Sequence, residues 1–280
     1  MSPVGRAPGR GRWTASLAPC PPSGLDRTTV SPETPGSRRP AFIAVAHGSR
    51  DPRSAATMSA LVGEIARVRP DLDVRLAFLD LNTPSVEQVV DAVAAHGHTE
   101  AVVVPLLLGS AFHARVDLPG ILANARNRHP LLRLVQADVL GTDERLIDAL
   151  REQVVDAGAD PADTGLGVAV AAVGSSSVAA NRITERAAVA VRNGTAWQSA
   201  ICFATLEPSL SSAVSQLRAA GARRVIVAPW FLAPGLLTDR IAAAAPELPH
   251  ASPLGPHRLL AEVARDRYRT ATHRPLGLSA

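Results

Sequence analysis

The sequence predicts an α/β protein made of two similar, doubly wound parallel-sheet domains. Three observations carry that prediction. Short apolar runs rich in Val, Ile and Ala alternate with amphipathic stretches of roughly a dozen residues or more, the spacing that parallel βαβ units need. The pattern runs once from residue 41 and restarts near residue 167. Landmarks also recur at a fixed offset: Pro84 and Pro208, Gly97 and Gly221, and Pro105 and Pro229 are each 124 residues apart.

In the first half, AFIAVA (41–46) reads as a strand, 54–69 as a helix, DVRLAFL (73–79) as a strand and 85–95 as a helix. AVVVP (101–105) is a third strand, followed by a helix at about 117–128, a strand LRLVQADV (132–139) and a closing helix in DERLIDALREQVVDAG. The second half repeats the plan with strands at 167–173, 199–204 and 223–229, helices at 178–191 and 208–220, and a last strand–helix pair. LGTDERLIDALREQV also resembles LGPHRLLAEVARDRY, so the two closing helices correspond, with Gly141 against Gly255. The boundaries this implies are 1–40 for a tail, 41–158 for a first lobe and 165–270 for a second.

The tail is dense in Pro, Gly, Ser and Arg without periodicity and is expected to be disordered. Its six arginines face only Asp26 and Glu33, so it carries the whole formal charge of +4. The rest of the chain is balanced, which argues against a nucleic-acid partner despite the basic total. No apolar run exceeds six residues, so no membrane span is expected. Arg38 and Arg39 are adjacent, but a strand pattern and not an apolar export segment follows them. Cys20 and Cys202 match no metal or redox spacing. Cytoplasmic residence is the expectation.

In an open parallel sheet, ligands bind beyond the carboxyl ends of the strands where strand order reverses. For a flavodoxin-like order 2-1-3-4 that point lies between strands 1 and 3. Strand 1 runs into HGSRDP (47–52), and strand 3 into LLLGSAFHARVDLPG (106–120). Of eight histidines, His47 and His113 alone fall at this point. His96 and His98 precede strand 3 at the opposite edge, and the other four occupy loops or the terminus. The first turn carries neither GxGxxG nor GxxxxGK[ST], and the chain contains no lysine, so dinucleotide and P-loop chemistry are excluded. Neither Ser49 nor Ser110 sits in a GxSxG elbow.

At these residues the chain resembles the sirohydrochlorin chelatases, class II enzymes that insert Co²⁺ or Fe²⁺ into a reduced tetrapyrrole without ATP. The likeness rests on VAHGSRDP, AFLDLNTP (77–84) and VVVPLLLGSAFHARVDLPG (102–120), and extends over about 41–270. It implies a two-lobed, long-form chelatase fold with the macrocycle in the cleft, acting in sirohaem or cobalamin biosynthesis. It implies that His47 and His113 are the active-site pair and metal ligands. Asp80 stands where many relatives carry glutamate, one methylene longer, and is a candidate to orient an imidazole or relay protons. Ser49, Arg50, Arg53, Gly109, Ser110 and Arg115 flank the histidines as candidate substrate contacts, the arginines by pairing with tetrapyrrole carboxylates.

Chelation needs a metal held by few ligands and two pyrrole protons removed. Imidazole suits both, since it binds borderline divalent ions and ordinarily titrates near about 6.5. The metal is then a substrate, and no organic cofactor is expected. Under the repeat alignment His47 falls opposite Val173 and His113 opposite Leu237, so the second lobe is expected to have lost catalysis. It would wall the cleft through Ser175, Ser176, Ser177 and residues 230–237. The alternative is a noncatalytic carrier of tetrapyrrole or metal. Either a monomer or a homodimer fits the duplication.

Overall fold

The structure, a computed structural model, describes residues 39–109 and 117–273. Most of the predicted tail, and Ser110, His113 and Arg115, lie outside the described residues. The first half contains β1 (Ala41–Ala46), α1 (Pro52–Val68), β2 (Val74–Phe78), α2 (Val86–Ala95), β3 (Glu100–Pro105), α3 (Leu118–Arg128), β4 (Arg133–Gln136) and α4 (Glu144–Asp156). The second contains β5 (Leu166–Ala172), α5 (Val178–Val191), β6 (Gln198–Phe203), α6 (Leu210–Ala219), β7 (Arg224–Pro229), α7 (Leu236–Ala244) and α8 (Arg258–Thr272). Two all-parallel sheets result, ordered β2-β1-β3-β4 and β6-β5-β7. The order reverses between β1 and β3, as the sequence predicts, and between β5 and β7.

The strands are buried on both faces because their apolar residues are continuous, and period two divides them. Phe42, Ala44 and Ala46 face one core with Val102 and Val104, while Ala41, Ile43 and Val45 face another against α2 and α3. Helix starts are set by side chains that accept the first free amides. Asp51 accepts from Arg53 N ahead of Pro52, Ser85 forms a capping box with Gln88, and Ser177 accepts from Ala180 N.

The repeat is visible in the backbone hydrogen bonds. Leu106 N donates to Val45 O and Trp230 N to Ala171 O, each at 2.8 Å. Ala137 N donates to Val103 O where Ala251 N donates to Val227 O, and Leu140 N to Leu107 O where Leu254 N donates to Phe231 O. The expected last strand of the second half does not form as a strand. It is a single bridge between Val227 and His250, because Pro249, at the position of the preceding ladder donor, has no amide to give.

The closing helices are exchanged. Helix α4 packs on α5 and β7 of the second sheet, whereas α8 packs on α1, β3 and β4 of the first. Tyr268 stacks on Phe42 with ring centroids 5.0 Å apart, and its hydroxyl donates to Pro40 O. Arg151 of α4 donates to the Ala190 and Val191 carbonyls at the end of α5. The α4–α8 contact joins the inner faces of both sheets into one core. The carboxyl ends of β1, β3, β5 and β7 thereby open on a common cleft.

Candidate active site

The cleft holds about 480 Å³ and is lined from both sequence halves. His47 and Gly48 follow β1, and Leu106 to Gly109 follow β3. Opposite them stand Val173 to Ser175 after β5, Ala180, Asn181, Ile183 and Thr184 of α5, and Trp230 to Ala233 after β7. Among the described lining residues none is Asp, Glu or Arg, and His47 is the one titratable group. It is exposed at the mouth, while Met58 and Trp230 form buried apolar walls. A largely apolar cleft with the His47 imidazole at its rim suits a ligand with an apolar body whose reaction involves a metal ion or a proton.

The turn carrying His47 is built tightly. Gly48 has φ +100°, and a Cβ there would lie 1.8 Å from Asp80 O, so only glycine fits. Asp80 N donates to His47 O at 3.0 Å, and Ser49 N donates to Asn82 Oδ1 at 2.7 Å. Residues 80–82 therefore strap the histidine turn in place. Leu81, at the crest of this strap, has φ 63°. A leucine in the left-handed region is strained, and such strain clusters at functional positions. Its side chain is half exposed and lines a neighbouring compartment of about 340 Å³.

That compartment is bounded by Ser49, Arg50 and Leu81 on one side and by residues 233–238 on the other. Next to its lining residues lies an ion-paired group. Asp51, buried at 8% exposure, accepts from the Arg53 amide and from its guanidinium, with Nη2 at 2.6 Å from Oδ2. The same Nη2 also donates to Asp239 on α7. Hydrogen bonding to Arg53 holds the Asp51 carboxyl below the usual range, and the two carboxylates raise the Arg53 guanidinium well above its own.

The sequence-predicted residues thus divide. His47 and Gly109 reach the main cleft, and Ser49 and Arg50 the side compartment. Arg53 is committed to Asp51 and Asp239. Asp80 is exposed, and its Oδ1 accepts from Leu81 N at 2.7 Å, so its carboxylate supports the strained turn. Of the second-lobe candidates, Ser175 and Trp230 to Ala233 line the cleft, and residues 234–237 line the compartment. Ser177 caps α5 instead, and Ser176 lines neither cavity. Sequence reasoning missed Asn181, Ile183 and Thr184, whose helical spacing was the available signal, and Leu81, whose sequence gives none. The Cys202 thiol is pushed up to about 12 by burial and is no nucleophile. Among the described residues no three His, Cys, Asp or Glu cluster as a metal site, and no helix is long and apolar enough to cross a membrane.

The family model CbiX matches residues 41–157 and 167–271, once per repeat. The chain belongs to the CbiX family. Among its relatives, the sirohydrochlorin ferrochelatase of Priestia megaterium is 30% identical over 206 residues, covering 72% of this chain and 76% of that one. The sirohydrochlorin cobaltochelatase of the same organism is 26% identical over 206 residues, covering 70% and 65%. In fold, the chain is similar to SirB from Bacillus subtilis, solved with Fe³⁺, with TM-score 0.71, 23% identity and 83% and 95% of the two chains covered.

Proposed function

We propose that this CbiX-family chain is a sirohydrochlorin chelatase, a lyase-class enzyme that inserts Fe²⁺ or Co²⁺ into sirohydrochlorin without ATP or an organic cofactor. The observation that carries the reading is His47, fixed at the strand-order reversal on the rim of a cleft whose other described lining residues carry no charge. Relatives named for ferrochelatase and cobaltochelatase support the same chemistry with either ion. The ion is a substrate, and the product serves sirohaem or cobalamin biosynthesis.

In the proposed reaction the macrocycle lies between the apolar walls, which strip water from its centre. His47, with His113 from the segment after β3, presents the ion through few ligands and leaves its remaining positions open to the four nitrogens. Those nitrogens form bonds to the ion as the histidine bonds break. Two N–H protons depart one at a time, each taken by a histidine imidazole that its bond to the ion has left free, and each is then released to water. The ion enters with two positive charges and two protons leave, so charge balances. Arg50, at the rim of the side compartment, pairs with a peripheral carboxylate, joined by Arg115, Ser49, Gly109 and Ser110 as further contacts. Asp80 acts through the loop it braces. The repeats 41–158 and 165–270 divide the work, with the second serving as a wall. One chain supplies both walls, so a monomer suffices and a homodimer is compatible. The buried, unpaired Cys202 suits a reducing cytoplasm.

The test is metal insertion followed by the absorbance of sirohydrochlorin, with His47→Ala and His113→Ala. Repeated turnover by the wild type and its loss in both variants is the expected result. Wild-type turnover in both variants overturns the assignment. Stoichiometric binding of one macrocycle or one ion without turnover identifies a carrier.

A further inference from the structure

Arg53 belongs to the first repeat, in the first turn of α1, yet its partner Asp239 belongs to the first turn of α7, 186 residues away. Together with Asp51 it ties the histidine turn to the opposite wall. The walls approach closely at the same place: a Cβ on Gly235 would lie 3.9 Å from both Ser49 Oγ and Asp51 Cβ. Gly235 is itself held, since its N donates to Thr238 Oγ1 at 2.8 Å. The tie therefore adjoins the compartment bounded by Ser49, Arg50 and Leu81 on one wall and by residues 233–238 on the other. Arg53 and Asp239 side chains are about half exposed, at 49% and 54%, so salt can loosen the tie while the buried Asp51 anchors it.

We infer that Arg53 is a positioning residue: through Asp51 and Asp239 it holds the two walls at the spacing at which the side compartment accepts an acid side chain of the macrocycle. This rests on the chelatase reading above. Arg53 does not neutralise substrate in this arrangement, because its charge is already shared by two carboxylates. Arg50, exposed at the compartment's rim, meets the acid chain. Specificity then lies in the width of the compartment and falls most heavily on tetrapyrroles rich in peripheral carboxylates.

The experiment uses the full chain and compares wild type, Asp239→Asn, Asp239→Glu and Arg53→Lys. Two readouts are taken: steady-state Co²⁺ insertion, and titration of metal-free sirohydrochlorin by its absorbance. A tetrapyrrole with fewer acid side chains serves as the comparison substrate. Asp239→Asn is expected to raise KM and Kd for sirohydrochlorin about two- to fivefold, the scale of an exposed ion pair. It changes the comparison substrate less, leaves kcat within about twofold, and is reversed in Asp239→Glu. Arg53→Lys, which loses the fork geometry, falls between. Raising salt to about 0.5 M moves the wild type toward Asp239→Asn and moves that variant less. Equal KM and Kd in wild type and Asp239→Asn overturn the inference. So does a loss that is equal for both macrocycles and accompanied by a lowered Tm, which marks a merely structural tie. Failure of the wild type to insert metal would sink the chelatase reading alone, because the macrocycle titration still reads the tie.

Discussion

The turns that follow β1 and β5 share a backbone and differ in chemistry. Gly48 and Gly174 both have positive φ, at +100° and +92°. Ser49 Oγ accepts from Asp51 N and Ser175 Oγ from Ser177 N, each at 3.1 Å. In each turn an asparagine Oδ1 accepts from the serine amide, but Asn82 reaches across from the neighbouring strap whereas Asn181 comes from the turn's own helix. The first position then diverges, His47 against Val173, and so does the helix cap, Asp51 against Ser177. Duplication has thus kept the hydrogen-bonded frame in both copies, with an imidazole and a charge-paired cap present in one. A frame of this kind positions whatever side chain is mounted on it, and the side chain decides whether the position is a reacting group or a wall.

The substitution that most directly breaks the contrast is His47→Ala. Loss of a metal-presenting, proton-accepting group predicts a fall in turnover of about 10²- to 10⁴-fold, measured by metal insertion. Val173→Ala, at the matching position, is expected to cost only a few-fold through lost wall contact. Comparable losses at the two positions would mean that the second copy is not merely a wall. Next in size is the glycine pair. An added Cβ at Gly48 meets a backbone oxygen at 1.8 Å, whereas at Gly174 it meets the ends of the Leu206 and Thr205 side chains at 2.9 Å, which can turn aside. Gly48→Ala is therefore expected to destabilise by about 3 kcal/mol and Gly174→Ala by about 1 to 2 kcal/mol in urea unfolding. Only the former should also depress activity, since it pushes away the strap that holds His47.

A smaller effect separates stability from function. Leu81 stands on a strained backbone with its side chain turned to the compartment, and the corresponding second-repeat loop contains no positive-φ residue among those described. Leu81→Gly relieves the strain, so Tm is expected to hold or rise, while kcat/KM for sirohydrochlorin falls about threefold from lost apolar contact. A fall in both would show that Leu81 is retained for folding.

Much of this was legible because parallel strands and their turns leave local marks. The order of the first sheet, the switch point and His47 followed from AFIAVA, AVVVP and the turn between β1 and α1. The duplication followed from three prolines and glycines at one offset. The exchange of α4 and α8 was not legible, since helical periodicity tells which face is apolar and not which of two similar sheets will receive it. The shared apolar pattern of the two closing segments leaves the choice invisible in sequence. Leu81 was equally hidden, because its φ is imposed by the strap and not by its own preference. Arg53 was read as a substrate cation from its nearness to His47. Asp51, two residues before it, hinted otherwise, but Asp239 lies too far along the chain to be paired without the fold.

The smallest effect concerns acid, and it tests the second difference between the turns. Bonding to Arg53 lowers the Asp51 pKa from its ordinary value of 3.8, so the native state binds fewer protons at this site than the unfolded chain does. The resulting stabilisation is complete above the unfolded value and is lost as pH falls through the lowered native one; near neutrality it does not vary with pH. Ser177, in the matching position, accepts from Ala180 N without titrating. Asp51→Ser therefore gives the first turn the cap of the second. Other carboxylates, Asp71 and Asp143 among them, are lowered by their own arginine partners and contribute acid sensitivity to both proteins. The difference between wild type and Asp51→Ser isolates the clasp. That difference, from urea unfolding at successive pH values, is expected to be constant from about pH 7 to pH 5 and to shrink below about pH 4. A gap that does not shrink as the carboxylates protonate would show that the charge on Asp51 does not hold the first turn, and that the two turns differ in chemistry only at His47 and Val173.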